Sequence, residues 1–361
     1  MIVEAGEKRV FLPEFIQWLT QQGLRVFLEK DYGERLDLKF EDYKQGNKNI
    51  IECSREEAFQ QDLVLILRSP KMEEYSLLGK NSTFITMVHF PTRPKRVSHL
   101  ANNGIRTISL DSIADYRNIR LVENMRSVAW NGLRSAFEVF QNQWTDLNKP
   151  DGKPVKTLIM GTGMVGKYAI DAATKLGNAD LNRQHMKIGG NGAIAVSVGR
   201  NITNRPESLE ELFSDADILV DATQRRDAST SIVRNSQLEM LPEHAMVVDL
   251  SVDPYALDSD PAVTKGIEGI PQGSLDKYVF APSDPDFYET IPEIIPSKVK
   301  RHTVSCYSWP GVYPKESMEH YANQLRPLFR VLLEKGYDDL SPDGDYFEQA
   351  LYNGTLKAFI Q

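Results

Sequence analysis

Five polar side chains and one glycine-rich turn hold the chemistry that this sequence can be expected to perform. Arg68 closes an apolar run, Leu63-Val-Leu-Ile-Leu67, and His89 closes the next, Phe84-Ile-Thr-Met-Val88. Titratable groups at the carboxyl ends of strands in open α/β sheets point into the ligand crevice. A histidine there can accept and donate a proton near pH 7, or can simply cap the loop. Arg68 and Arg9, the latter just ahead of the first helix pattern, offer the forked donors that suit a substrate carboxylate. The plainer reading of Arg9 is a surface cation. Asp249 and Asp253 flank Leu-Ser-Val after a third apolar run, Ala245-Met-Val-Val248. One carboxylate can hold a substrate amine while the other orients backbone, or both can shape the turn before Pro254.

The glycine-rich turn is Gly161-Thr162-Gly163-Met164-Val165-Gly166, entered from Lys156-Thr-Leu-Ile-Met160 and followed by an Ala-rich helix pattern. In a G-x-G-x-x-G turn the glycines give a tight bend, close approach of backbone to a pyrophosphate, and close packing of helix on strand. The helix start offers unpaired N–H groups to the phosphates. A dinucleotide is therefore expected across residues 161–166.

Which dinucleotide is a question for the strand that follows, Gly192-Ala-Ile-Ala-Val-Ser-Val198. NAD is usually held there by a carboxylate on its ribose 2′-hydroxyl. Here the loop reads Gly199-Arg200-Asn201-Ile-Thr203-Asn204-Arg205, with no acid before Glu207. Arg200, Asn201, Thr203 and Arg205 suit a 2′-phosphate, so NADP(H) is preferred and NAD(H) kept as the alternative, held by backbone alone. The strand starts late, which makes residues 178–191 an inserted loop. Asp180 stands nearer the usual spacing but in a stretch without strand character.

The elements that must position these groups alternate between strand and helix. Phe15, Ile16 and Leu19 repeat at helical spacing before Leu24–Glu29, and Glu56–Gln60 precedes Asp62–Leu67 in the same way. Val97–Asn102 precedes Arg106–Leu110, and Leu209–Phe213 precedes Asp217–Val220. Two long helix patterns, Val122–Trp144 and Lys315–Lys335, bracket the nucleotide segment. The expected fold is α/β, two Rossmann-like domains with parallel sheets, the first discontinuous, joined by long hinge helices around a cleft. The substrate domain is assigned to residues 1–125 plus 310–361, and the nucleotide domain to 126–309. Residues 253–297, dense in Pro, Asp and Gly, read as long active-site loops.

Composition excludes several classes. A net charge of −8 argues against a nucleic-acid binder, which would carry a basic stripe. Cys53 and Cys306 stand too far apart for a metal motif, so no metal is expected, and they read as buried thiols. Glu4, Glu7, Lys8 and Arg9 replace the apolar core of a signal segment, and no apolar run is long enough to span a membrane. The expected setting is cytoplasmic, with no membrane partner.

Taken in order, these segments resemble the superfamily of alanine dehydrogenase, transhydrogenase and saccharopine dehydrogenase. Arg9-Val-Phe-Leu-Pro is similar to its "RVALTP", Leu65-Ile-Leu-Arg68-Ser-Pro to "VKEP", and Phe84–His89 to the "LFTYLHLA" strand. Val247-Val-Asp249-Leu-Ser-Val-Asp253 resembles "VLVDVAIDQGG", and Trp309-Pro-Gly-Val-Tyr-Pro314 resembles "NMPASVPKTS". The resemblance runs along nearly the whole chain. It implies an NAD(P)-dependent oxidoreductase acting at the C–N bond of an amino acid, and commonly a homo-oligomer such as a dimer. On it, Arg9 and Arg68 bind the carboxylate of a 2-oxo acid, and His89 is the acid/base. Asp253 sits by the substrate nitrogen and Asp249 on the cofactor side; His89, Arg68 and Asp253 form the catalytic set. Three departures stand out: Arg68 replaces the family lysine, the acid after the second strand is missing, and Ser308 replaces the "NMP" asparagine. They point toward a relative that condenses a 2-oxo acid with the amine of another amino acid, as saccharopine dehydrogenases and N5-(carboxyethyl)ornithine synthases do. The alternatives are a plain amino-acid dehydrogenase using ammonia, and a nucleotide-sensing relative without catalysis.

Overall fold

The computed structural model describes residues 1–2 and 7–361, so Glu4, one of the N-terminal charges noted above, lies outside the described residues. The chain forms two compact units, Met1–Asn124 with Tyr313–Gln361, and Met125–Val312.

The first unit holds two parallel sheets in place of one. β1 (Val26–Glu29) pairs with β2 (Ile50–Cys53), while β3 (Leu63–Arg68), β4 (Thr83–Met87) and β5 (Arg106–Ser109) form the second in the order β3-β4-β5. β3 carries a run of four buried residues, Val64–Leu67, as expected of a parallel strand covered on both faces. Its register shifts between Leu65 and Arg68, which brings Arg68 opposite Met87 and leaves the arginine exposed at the strand's carboxyl end. The helix Pro13–Gln21 buries Phe15, Ile16 and Leu19; its proline stands at the first helical position, where no backbone N–H is needed. The long helix Pro314–Lys335 packs Met318, Tyr321, Leu325 and Phe329 into the same core. The C-terminal tail lies along β5, where Ser109 donates its N–H to the Gly354 carbonyl at 2.7 Å.

The second unit is a doubly wound sheet of six strands: β6 (Val155–Met160), β7 (Ala193–Val198), β8 (Ile218–Asp221), β9 (Met246–Asp249), β10 (Val279–Phe280) and β11 (His302–Ser305). Their order is β10-β11-β9-β8-β6-β7, all parallel but for the short β10 at one edge. Successive residues feed opposite faces: Ile218 and Val220 enter one core and Leu219 the other, as do Met246 and Val248 against Val247. The helix Met125–Gln143 covers the first of these faces with Ala129, Leu133, Ala136, Phe137 and Phe140, at the 3–4 spacing of one helical stripe.

One expectation is corrected here. Residues 178–191 are no loop: Ala179–Lys187 is a helix, capped by Asn178, whose side chain accepts from the Asp180 and Leu181 N–H groups. Its charged face leaves a weak apolar stripe, which is why periodicity misses it. β2, Ile-Ile-Glu-Cys, and β11, His-Thr-Val-Ser, hold too few consecutive aliphatic residues to stand out in the sequence.

Candidate active site

In the first unit the reactive groups gather at the carboxyl ends of β4 and β5. Thr86 pairs with Ser109 in register, so the residues just beyond each strand become neighbours. His89 leaves β4 with a left-handed backbone, φ 60, and its N–H donates to Asp111 Oδ1 at 3.2 Å. Its Nδ1 lies 3.0 Å from Asp111 Oδ2. The Ser109 hydroxyl also donates to Asp111, at 2.7 Å, and accepts from the Val88 N–H at 3.0 Å. Burial would raise the Asp111 carboxyl, but hydrogen bonding and charge from His89, with the Ser109 hydroxyl, outweigh it and hold the group at about 2. Asp111 is thus ionised at neutral pH and can only accept, so Nδ1 is the donor and Nε2 is the outward nitrogen. The histidine side chain is 48% exposed while Asp111 is buried. This is the geometry of a proton carrier with a fixed tautomer.

Arg68 shares that end of the sheet, one strand over. Arg9 is anchored separately: its guanidinium donates to Glu7 Oε2 at 2.7 Å, and Glu7 Oε1 accepts from the Arg9 N–H at 3.0 Å. Burial would raise Glu7, but the charge and hydrogen bonds of Arg9 lower it below its ordinary value. Arg9 also reaches the buried Tyr321 hydroxyl.

In the second unit the chain runs from β6 outward to β7 and then crosses to β8 on the other side of β6. That reversal is a topological switch point, the place where open α/β sheets bind ligands. The glycine turn leaves β6 there. Gly161 takes φ +119, and a Cβ on it would stand 2.3 Å from the Ala222 carbonyl oxygen. A Cβ on Gly166 would stand 2.0 Å from the Gly161 carbonyl oxygen, so both positions admit only glycine. Gly163, by contrast, faces open space at the head of the helix Met164–Ala173. Thr162, Gly163 and Met164 are exposed, while Val165 packs into the core. An uncapped helix start with a bare, open glycine in front of it fits a pyrophosphate.

Beyond β7, Arg200 and Asn201 begin a short helix, Arg200–Thr203. Arg200 donates to the Gln224 carbonyl at 3.0 Å, so it spans from the β7 loop to the β8 loop across the glycine turn. Asn201 lies beside Gly199, which also meets Thr162. Thr203 is buried, and Arg205 is exposed just beyond the helix.

The parallel register sets Asp221, Asp249 and Ser305 side by side at the ends of β8, β9 and β11. Asp249 is buried and ion-paired with Lys265 at 2.7 Å, and it accepts from Ser251, Ser305 and the Val252 N–H, each at 3.1 Å. Burial would raise its carboxyl, but the Lys265 ammonium lowers it. The carboxylate is therefore engaged inside the protein, shaping the 249–253 loop. Asp221 fares differently: burial, with the Asp249 charge beside it, pushes it up to about 6. Asp253 is partly exposed and pairs with Arg225 at 2.7 Å.

The sequence singles out His89, Arg68, Arg9, Asp249 and Asp253 but not Asp111, Lys265, Arg225 or Asp221. Asp111 had no signal of its own in the sequence, because its meeting with His89 depends on the register of β4 and β5. Lys265 had none, lying in an irregular Pro- and Gly-rich stretch. Among the described residues no group of three or more His, Cys, Asp or Glu side chains is placed to hold a metal ion. No helix among them is long and apolar enough to cross a membrane.

Comparison with known proteins bears on the whole chain. The alanine dehydrogenase/PNT N-terminal domain family matches residues 3–129, and its C-terminal counterpart matches residues 140–256. Alanine dehydrogenase of Bacillus subtilis (strain 168) is 24% identical over 273 residues, covering 70% of this chain and 69% of its own. Alanine dehydrogenase of Staphylococcus haemolyticus (strain JCSC1435) is 22% identical over 350 residues, covering 93% and 86%. A solved L-alanine dehydrogenase superposes with a TM-score of 0.69 at 19% identity, over 98% of this chain and 92% of that one, which establishes the shared fold.

Proposed function

We propose that this chain, which belongs to the alanine dehydrogenase/PNT superfamily, reduces the imine formed between a 2-oxo acid and the amine of an amino acid, or runs the reverse. The class is that of an amino-acid dehydrogenase, and the choice of a secondary-amine product and of NADP(H) is the finer part of the reading. The observation that carries it is the His89–Asp111 pair at the carboxyl end of β4, which presents Nε2 with a fixed tautomer.

Each residue has a defined task. Arg68 and Arg9 hold the 2-oxo acid carboxylate through forked hydrogen bonds. His89 Nε2 delivers a proton to the departing hydroxyl as the imine forms, and takes one back from water in the reverse direction. Asp111 keeps Nδ1 protonated through both halves. Asp253 takes the role of stabilising the positive charge on the substrate nitrogen. A bound reduced nicotinamide supplies the hydride that the imine carbon accepts. Arg68 stays charged throughout, so unlike a lysine it clamps and does not exchange protons. A second carboxylate on the amine partner would give it a further group to hold, which favours a secondary-amine product over a simple amino acid.

NADP(H) is supported by the loop after β7, where Arg200 and Asn201 stand at the glycine turn and no carboxylate precedes Glu207. The reading with ammonia as amine is favoured by the names of the relatives above.

The test is a screen of NADPH and NADH oxidation crossing pyruvate and other 2-oxo acids with ammonium, L-lysine and L-ornithine, with product analysis. Turnover confined to ammonium would replace the secondary-amine reading by the simpler one. Turnover that survives His89→Ala undiminished would remove the acid/base assignment. A preference for NADPH that Arg200→Ala leaves unchanged would remove the cofactor assignment.

A further inference from the structure

Asp253 sits in a loop that is held more firmly than a turn requires. Val252, immediately before it, has φ 63, a left-handed conformation that a β-branched residue adopts only under constraint. Three contacts supply the constraint. The Val252 N–H donates to buried Asp249 at 3.1 Å, and Lys265 Nζ donates to the Asp253 carbonyl at 3.1 Å. The third falls on the side chain: Arg225 Nη2 donates to Asp253 Oδ2 at 2.7 Å.

Arg225 is itself fixed. Its side chain is 5% exposed against 31% for Asp253, its Nη1 donates to the Thr230 carbonyl at 2.6 Å, and its Nη2 also reaches the Thr264 carbonyl. It stems from the loop after β8, whose Ala222 carbonyl abuts Gly161 and whose Gln224 carbonyl accepts from Arg200. Strain concentrated beside a partly exposed carboxylate, and held in place by buried charge, marks a group whose position matters.

We infer that Arg225 is a positioning residue for the reaction: it fixes the Asp253 carboxylate through Oδ2 and leaves Oδ1 as the oxygen that meets the substrate nitrogen. The inference rests on the role proposed for Asp253. A guanidinium suits the task because its fork bonds Asp253 and the Thr230 carbonyl at once, whereas an ammonium is a point charge. A carboxylate left to swing through 1 Å costs about a hundredfold in rate.

The experiment compares Arg225→Ala, Arg225→Lys and Asp253→Asn in the full chain, with NADPH, pyruvate and the amine that gives the highest turnover. In Arg225→Ala, kcat should fall about 10²-fold while the KM for NADPH stays within about twofold of wild type, a split that a general loss of structure would not give. Added guanidinium, below denaturing concentration, should recover about tenfold of that loss in Arg225→Ala and none in Asp253→Asn. Should Arg225→Ala lose its cooperative melting transition, Arg225→Lys serves in its place, with at least a tenfold fall in kcat expected. Arg225 variants that turn over at the wild-type rate while Asp253→Asn is inactive would overturn the positioning role and leave Asp253 standing. Wild-type turnover in Asp253→Asn would instead overturn the Asp253 assignment, and the inference about Arg225 with it.

Discussion

Asp111→Asn separates a structural histidine from a catalytic one. The carboxyl of Asp111 lies at about 2 against an ordinary 3.8, a difference worth roughly 2 kcal/mol in favour of the ionised form. His89 is 48% exposed, so solvent screens part of that, leaving ~1 to 2 kcal/mol. The amide removes the charge and also the tautomer lock, since Asn can accept from Nδ1–H or donate to a bare Nδ1. Together these should lower kcat/KM by about 10- to 100-fold at neutral pH. A stability signature accompanies the rate. The folded carboxyl titrates below its unfolded value, so its contribution is fully present above about pH 4 and is lost as pH falls through about 2. Urea denaturation should therefore find the variant ~1 to 2 kcal/mol less stable at pH 7, with the gap narrowing below about pH 4 and closing only as pH falls through about 2. The assay is oxidation of the reduced nucleotide with the best substrate pair between about pH 6 and pH 9, with His89→Ala as the reference for complete loss. An Asp111→Asn variant within about twofold of wild type across that range, with no stability gap, would refute the argument from the His89–Asp111 pair.

Two further outcomes follow from the buried charges of the second unit. Asp221, held at about 6 by burial and by Asp249, titrates above its unfolded value, so it costs stability increasingly as pH rises from about 4 through 6. Asp221→Asn keeps an oxygen to accept from the Thr223 N–H and hydroxyl and should be up to ~3 kcal/mol more stable than wild type at pH 8 and equal to it at pH 4, measured by denaturant unfolding at the two pH values. Lys265→Met leaves Asp249 ionised, buried and without its cation, and should cost roughly 3 to 5 kcal/mol. The double change Lys265→Met with Asp249→Leu should recover a substantial part of that loss, and thermal melts of the three variants decide it.

How much of this was legible before the structure depends on the range of each signal. The strand–turn–helix at Gly161–Gly166 is local, with all its determinants within one βα unit, and it stands where expected. The two-domain α/β character was legible for a similar reason, since runs such as Leu63–Arg68 and Met246–Asp249 are apolar enough to read as buried strands. Pairings across the chain were not. Nothing within residues 106–111 announces that Ser109 and Asp111 will meet His89, because that depends on β4 and β5 being parallel neighbours in one particular register. The same holds for Lys265 and Asp249, 16 residues apart and joined through a stretch without regular structure. The helix Ala179–Lys187 failed to show for a different reason: it is capped at Asn178 and tied down through buried His185, and its mostly polar sequence leaves few apolar residues to read.

The distribution of carboxylates decides which group can move a proton. Three acids crowd the strand ends of the second unit, yet each is committed. Asp249 is saturated by Lys265, two serines and a backbone N–H. Asp253 is bound through Oδ2 to a guanidinium that never releases its own proton. Asp221 has the raised titration expected of an acid catalyst, but it is buried and bonded to Thr223 and Ser251, so a substrate proton has no path to it. Perturbed titration alone would have chosen Asp221, and geometry rejects it. His89 combines what these acids lack: about half of its side chain exposed, a ring nitrogen facing outward, and a buried carboxylate that fixes its tautomer. On that argument a variant that spares Asp221, Asp249 and Asp253 but alters His89 should lose proton transfer altogether, while Asp221→Asn should gain stability and keep its rate.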